Sequence, residues 1–188
     1  MTDIFLSGWC GFSPLFGSFA DRFQFSVPFY DDIDGVFDKT GRNLVCWSTG
    51  ANLALRAEKL DFENIILLSP FIKFTDFTPE RVLKRMIKKF ESEPETVIAD
   101  FLTACGCKDY SIPELNDYSN LKSGLEYLMD SSFELKKKPN IKILHGEDDA
   151  VVNKRSGELI AEILGCELVC VKNCGHFVSP DIIAEHLI

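Results

Sequence analysis

A chain of 188 residues fits one domain and is long enough to bury a sizeable core. Its 46% hydrophobic and 26% charged content is ordinary for a soluble globular protein, and no apolar run reaches the roughly 18 residues a membrane span needs. A formal net charge of -9 argues against general nucleic-acid binding. The start, MTDIFLSGWCGF, lacks a positive n-region and reads as a strand and its loop, so no signal peptide is expected. Seven cysteines, odd in number and scattered through apolar or small-residue settings, suit free thiols in a reducing cytoplasm.

Asp3 to Ser7 is a short apolar strand, followed by the tight loop Gly8-Trp9-Cys10-Gly11. The apolar positions from Phe12 to Phe23 fit a helix with Pro14 in its first turn. Phe25 to Tyr30 is the next apolar run, and Pro28 moves it toward a sheet edge. Asp31 to Gly41 is acidic and holds a short helix at most. Leu44 to Trp47 reads as a buried strand and Thr49 to Lys59 as its helix. Asn64 to Ser69, wholly apolar between turn formers, fits a central parallel strand.

The rhythm breaks between Phe71 and Pro139. Thr78-Pro79-Glu80 opens a helix with proline at its first position. Glu95 to Cys105 and Ser119 to Asp130 read as two more, with no convincing strand between them. Strand and helix then resume: Ile141 to Leu144, Lys154 to Leu164, Leu168 to Val171, and a last helix from Pro180. Such alternation predicts a compact α/β fold with about six mostly parallel strands and helices on both faces. Residues 1–70 and 140–188 form its core, and 71–139 form an inserted helical lid.

Asn43 to Ala54 organises this pattern. A buried strand ends at Trp47, Ser48 follows, and Thr49-Gly50-Ala51 opens a helix. That is the layout of a nucleophile elbow, a strained strand-to-helix turn that lifts a serine hydroxyl above the sheet and demands small neighbours. Gly50 meets the demand; Cys46 stands where the pattern G-x-S-x-G has its first glycine. The plainer alternative is a serine N-cap. An elbow serine needs a base and an acid, carried in that scheme on loops after later strands. Among His145, His176 and His186, His176 lies after the last strand in Asn173-Cys-Gly-His-Phe-Val-Ser-Pro180, where the base belongs. His186 reads as a surface or packing residue, and His145 as a structural residue at a strand-to-loop corner.

The acid candidates are Glu147, Asp148 and Asp149, which as a group also fit a solvated acidic turn. The phrase H-G-x-x-D-x-x-V selects Asp149, with Val152 packing the loop onto the core. Asp149 would fix the tautomer of His176 as Ser48 attacks. Two backbone amides should hold the oxyanion: Thr49, after the nucleophile, and Trp9, in the loop after the first strand. Trp9 as a mere core plug is the alternative. Cysteine chemistry is disfavoured. Cys170-x-x-x-Cys174-x-His176 lacks the usual zinc spacing, Cys105-Gly-Cys107 lies in the lid, and Cys46 falls inside a strand.

With these residues placed, the chain resembles the α/β-hydrolase superfamily, and more narrowly the pimeloyl-acyl-carrier-protein methyl ester esterases of biotin synthesis. Gly8-Trp9, Trp47-Ser48-x-Gly50, Gly146-x-x-Asp149-x-x-Val152 and Gly175-His176 carry the superfamily likeness. Asp100-Phe-Leu-Thr-Ala-Cys105 and Leu121-Lys-Ser-Gly-Leu-Glu-Tyr-Leu128 are similar to lid segments of the narrower family. Two departures are Cys46 and a start at the oxyanion strand, without the N-terminal hairpin of full-length hydrolases; the latter resembles the compact esterase variants.

The resemblance implies a cofactor-free, metal-free serine carboxylesterase that hydrolyses the methyl ester of a pimeloyl chain on acyl carrier protein, releasing methanol. It implies an acyl channel lined by Phe101, Leu102 and Cys105 beside Trp9. Carrier proteins are acidic, and Arg81, Lys84, Arg85, Lys88 and Lys89 cluster on one lid helix with Glu80 and Glu91 nearby, a local reversal of sign that would steer such a partner. A solvated helix face is the alternative for that cluster, and Lys136-Lys-Lys138 reads as a solvated hinge. Two other functions stay open: a general short-chain carboxylesterase or thioesterase, and a non-catalytic binding protein on the same fold.

Overall fold

The structure, a computed structural model, describes residues 2–108 and 110–188. Six strands form one sheet: β1 Ile4–Leu6, β2 Gln24–Ser26, β3 Thr40–Trp47, β4 Asp61–Leu68, β5 Ile141–Gly146 and β6 Glu167–Val171. They lie in the order β2-β1-β3-β4-β5-β6, and each neighbouring pair is parallel. Connections leave β1 toward one edge and β3 toward the other. The sheet therefore reverses its winding between β1 and β3, the place where open α/β sheets bind ligands.

Alternation along the strands divides the core. Leu44 and Cys46 of β3 join Ile65, Leu67, Ile141 and Ile143 on one face, covered by α1 (Thr49–Arg56) and α5 (Arg155–Leu164). Val45 and Trp47 join Phe5, Ile66, Leu68 and Leu144 on the other face. A period of two in side-chain direction produces this division. With both faces covered, the central runs of the inner strands, Leu44 to Trp47 and Ile65 to Leu68, are wholly apolar.

Between β4 and β5 the chain forms α2 (Glu80–Phe90), α3 (Pro94–Ala104) and α4 (Ser119–Met129), and α2 packs on both of the others. Their buried residues Leu83, Phe90, Ile98, Leu102 and Leu125 merge with the Phe5–Trp47 face of the core. The chain ends in α6, Pro180–Ala184.

Several elements differ from the sequence reading. Ser13–Arg22 is a 3-10 helix, broken where Gly17 takes a φ of 53°, rather than one regular helix. The second strand is Gln24–Ser26, so Pro28 lies beyond it. β3 begins at Thr40 and β4 at Asp61, each ahead of its apolar run, because the two pair along their whole length from Thr40↔Asp61 to Trp47↔Leu68. Lys138 is no solvated hinge. It is buried, its Nζ donates to the Ala57 carbonyl at 2.6 Å, and burial, with Lys136 adding, pushes its ammonium below the usual range.

Candidate active site

At the end of β3, Ser48 takes φ 51° and ψ -110°, a backbone that non-glycine residues rarely hold. Its amide donates to the Leu68 carbonyl of β4 at 2.8 Å, which anchors the turn to the neighbouring strand. Gly50 is obligatory there, since a Cβ would run into the backbone carbonyls of Leu6 and Ser7. Cys46 is harmless in the elbow. Its side chain points away into the opposite face of the core, among Leu6, Leu67 and Ala51.

The loop after β1 lies against this turn. A Cβ on Gly8 would stand 3.2 Å from the Cβ of Ser48, and one on Gly11 would enter the Trp47 ring. Ser7 Oγ donates to the Gly11 carbonyl at 2.6 Å and fixes the loop. Among the described residues, neither the Trp9 nor the Thr49 amide has a backbone or side-chain acceptor in the fold. Two free N–H groups beside a serine are what an oxyanion pocket requires. The Trp9 indole is buried, donates from Nε1 to the Leu121 carbonyl at 2.8 Å, and meets Phe101 edge-on at 5.0 Å. It is thus a core plug by its side chain, while its amide stays available.

His176 and Asp149 arrive on the loops after β6 and β5. Those loops are laced together: the Glu147 amide donates to Val171 O and the Asp148 amide to Cys174 O, each at 2.9 Å. Gly146 lets them touch, because a Cβ there would meet the carbonyls of Cys174 and Gly175. Trp47 Nε1 and Ser69 Oγ donate to the His176 carbonyl at 2.9 and 3.3 Å. The Phe177 amide donates to Cys105 O at the end of α3, also at 2.9 Å.

The result is a continuous relay. His176 Nε2 lies 2.8 Å from Ser48 Oγ, and His176 Nδ1 lies 2.8 Å from Asp149 Oδ2. Asp149 can only accept, so Nδ1 carries the proton and Nε2 is free to take one from the hydroxyl. Asp149 Oδ1 accepts from the Val151 and Val152 amides at 2.9 and 2.8 Å. Burial alone would push the Asp149 carboxyl up. The His176 charge and hydrogen bonds from His145, His176 and Val152 outweigh it and hold the carboxyl far below the ordinary range. All three side chains are nearly inaccessible, with Ser48 at 3% exposure and His176 at 0%.

The other expected site residues divide. Phe101 lines an apolar cavity of about 250 Å³ with Leu83, Met86, Val97, Leu128 and Val151, and Lys89 and Asp100 stand on its wall. Leu102 and Cys105 are fully buried and line no part of that cavity. Of the basic set, Arg81, Lys84, Arg85 and Lys88 are exposed on α2. Lys84 pairs with Glu80 at 3.1 Å and Lys89 with Asp100 at 3.0 Å, so the free positive stripe is Arg81, Arg85 and Lys88 among the described residues. Glu91, expected beside the basic set, pairs instead with Lys122 at 2.6 Å. His186 is half-buried just past α6, and its carbonyl accepts from Asn64.

Residues absent from the sequence reading of the site also shape it. His145 is completely buried and reaches Asp149, beyond the corner role expected of it. Asn52 on α1 donates to the carbonyls of Phe71, Ile72 and Ser131 and accepts from Tyr127 OH, tying both ends of the inserted helices to the helix that follows Ser48. The His145 signal was its i, i+4 spacing to Asp149. Asn52 carries no local signal beyond being a polar residue on an apolar helix face.

The sheet order, the elbow and the three loops make this an α/β-hydrolase fold. No protein-family model matches the chain, and no curated protein matches it in sequence. Among solved structures, an α/β hydrolase fold protein from Burkholderia ambifaria superposes with a TM-score of 0.64 at 15% identity, over 97% of this chain and 88% of that one. An esterase from Exiguobacterium antarcticum gives 0.62 at 16% identity, over 98% and 90%. A hydrolase from Oleispira antarctica gives 0.58 at 12% identity, again over 98% and 90%.

Proposed function

We propose that this protein is a serine hydrolase that cleaves carboxylic esters. The observation that carries the reading is the Ser48–His176–Asp149 relay, with both contacts at 2.8 Å and the serine on a strained elbow. Ser48 Oγ attacks the ester carbonyl while His176 Nε2 takes its proton, and the oxyanion is held by the Trp9 and Thr49 amides. Collapse expels the alcohol, which leaves with the proton from His176. Water then gives a proton to His176, attacks the acyl-Ser48 ester, and the serine recovers its hydrogen as the acid departs.

Within that class, we propose the methyl ester of a pimeloyl chain on acyl carrier protein as the substrate. Support comes from the lid-segment resemblance, the apolar cavity beside Phe101, and the Arg81–Arg85–Lys88 stripe as a landing for an acidic carrier. On this reading residues 71–139 act as the lid over a core of 1–70 and 140–188. The free thiols suit a reducing compartment such as the cytoplasm. A general short-chain carboxylesterase or thioesterase is the second reading, and what favours it is the neutralisation of Lys84 and Lys89 by Glu80 and Asp100.

The test is hydrolysis of a short p-nitrophenyl ester and of pimeloyl-carrier methyl ester by wild type and Ser48→Ala. Cleavage of both by wild type alone, with strong preference for the carrier-linked ester, is the expected result. Cleavage of the small ester only selects the second reading, and a folded but inert wild type overturns both.

A further inference from the structure

Asp149 is approached by a second imidazole. His145 ends β5 four residues before Asp149, with no exposed surface. Its Nε2 lies 2.9 Å from the Val152 carbonyl and 3.2 Å from Asp149 Oδ2. A carbonyl only accepts, so Nε2 carries a proton. The other ring nitrogen, Nδ1, has no hydrogen-bond partner among the described residues. It faces the backbone of Gly157 on α5, so closely that a Cβ there would stand 2.7 Å away. A proton on Nδ1 would be buried against a glycine with nothing to accept it.

We propose that His145 is a positioning residue for Asp149, an imidazole whose Nε2–H bridges the Val152 carbonyl and the carboxylate oxygen that also receives His176. The arrangement does two things. It closes loop 146–152 from inside the fold, so that Asp149 meets His176 at the correct angle while the Val151 and Val152 amides hold its other oxygen. The His145 N–H also competes with His176 for the charge on Oδ2.

The role needs only the Nε2 proton of His145. A cation at the same oxygen would compete with the imidazolium that forms on His176 during turnover. The other titratable groups that face Asp149 are His176 and Cys174 from the loop after β6, Cys105 from the end of α3 and, alongside Cys174, Asp148. Burial pushes both thiols up, so they stay uncharged near neutral pH. From α5 the Gly157 backbone faces His145 Nδ1.

The kinetic consequence rests on the hydrolase reading above; the state of the ring does not. Nitrogen-15 NMR of the wild-type histidines would follow His145 between about pH 5 and pH 8. A proton on Nε2 and none on Nδ1 at neutral pH is the expected tautomer, and a His145 that carries its proton on Nδ1 overturns the proposal whether or not the protein hydrolyses anything. Removing the donor in His145→Leu should raise the midpoint of His176 by roughly 0.5 to 1 pH unit, and His145→Gln, which restores an N–H at the same reach, should return it. In active protein the acid limb of kcat/KM moves with it. A folded His145→Leu protein whose His176 midpoint is unmoved reduces His145 to packing and sinks the proposal. Should the leucine variant not fold, the wild-type tautomer and the glutamine variant still decide.

Discussion

The sheet-borne loops and the inserted helices are held together by different physics. At the carboxyl ends of β3, β5 and β6, geometry is fixed by buried hydrogen bonds and by glycines that no side chain can replace. Gly50 sits against the Leu6 and Ser7 carbonyls, Gly146 against Cys174 and Gly175. In α2–α4 the anchors are mostly apolar packing and exposed ion pairs such as Lys84–Glu80 and Lys122–Glu91, with the bonds from Trp9 to Leu121 and from Phe177 to Cys105 as buried exceptions. A buried hydrogen bond to a charged group is worth roughly 1.5 to 3 kcal/mol, an exposed ion pair about 0 to 1. The site should therefore tolerate little change and the helices a great deal. On the proposed function, chemistry belongs to the first of these regions and selection to the second.

The most severe break of that comparison is Ser48→Ala, which should lower kcat by a factor on the order of 10⁴ to 10⁶ with the fold intact, read by steady-state kinetics beside circular dichroism. Asp149→Asn follows, at about 10⁴-fold, because the amide cannot hold His176 in the right tautomer. Asp149 also ties stability to pH. Its folded pKa lies below the unfolded value near 3.8, so its contribution is complete above that value and fades as pH falls further; urea titrations from neutral to acid pH should lose that increment in wild type and not in Asp149→Asn.

Gly146→Ala forces apart the two loops that carry Asp149 and His176 and should cost roughly 2 to 4 kcal/mol in urea unfolding. On the insertion, Arg81→Glu with Arg85→Glu should raise KM for the carrier-linked ester on the order of tenfold, leave small-ester hydrolysis unchanged, and cost little stability. Equal effects on both substrates would dissolve the division of labour. Smallest is thiol reactivity. Exposed Cys170 should alkylate first, whereas Cys107, whose thiol burial pushes up to about 12, and fully buried Cys46 and Cys105 should react only on unfolding.

The same contrast explains how much of the molecule could be read from the chain. The meeting of Ser48, Asp149 and His176 was legible because each lies on a short run of residues at a strand end, and parallel strands bring such ends together. The alternation of apolar runs gave the sheet its strand number. Boundaries were poorer wherever pairing, not composition, makes the element. Thr40 to Asn43 is mostly polar yet is strand because Asp61 to Asn64 lies beside it. The turn at Gly17 needs a positive φ that no pattern of apolar residues announces. Contacts that join distant segments, such as Trp47 to His176 and Asn52 to Ser131, left no trace in local periodicity. Nor did the cavity beside Phe101, which three helices and the loop after β5 define together.

The proposed function makes Ser48 an activated nucleophile. Treating the folded protein with a fluorophosphonate and locating the adduct by mass spectrometry tests it without any assumption about substrate. One adduct on Ser48, absent from Ser48→Ala and strongly slowed in His176→Ala, is the expected result. A folded wild type that stays unmodified at Ser48, or reacts there as fast without His176 as with it, would contradict the account.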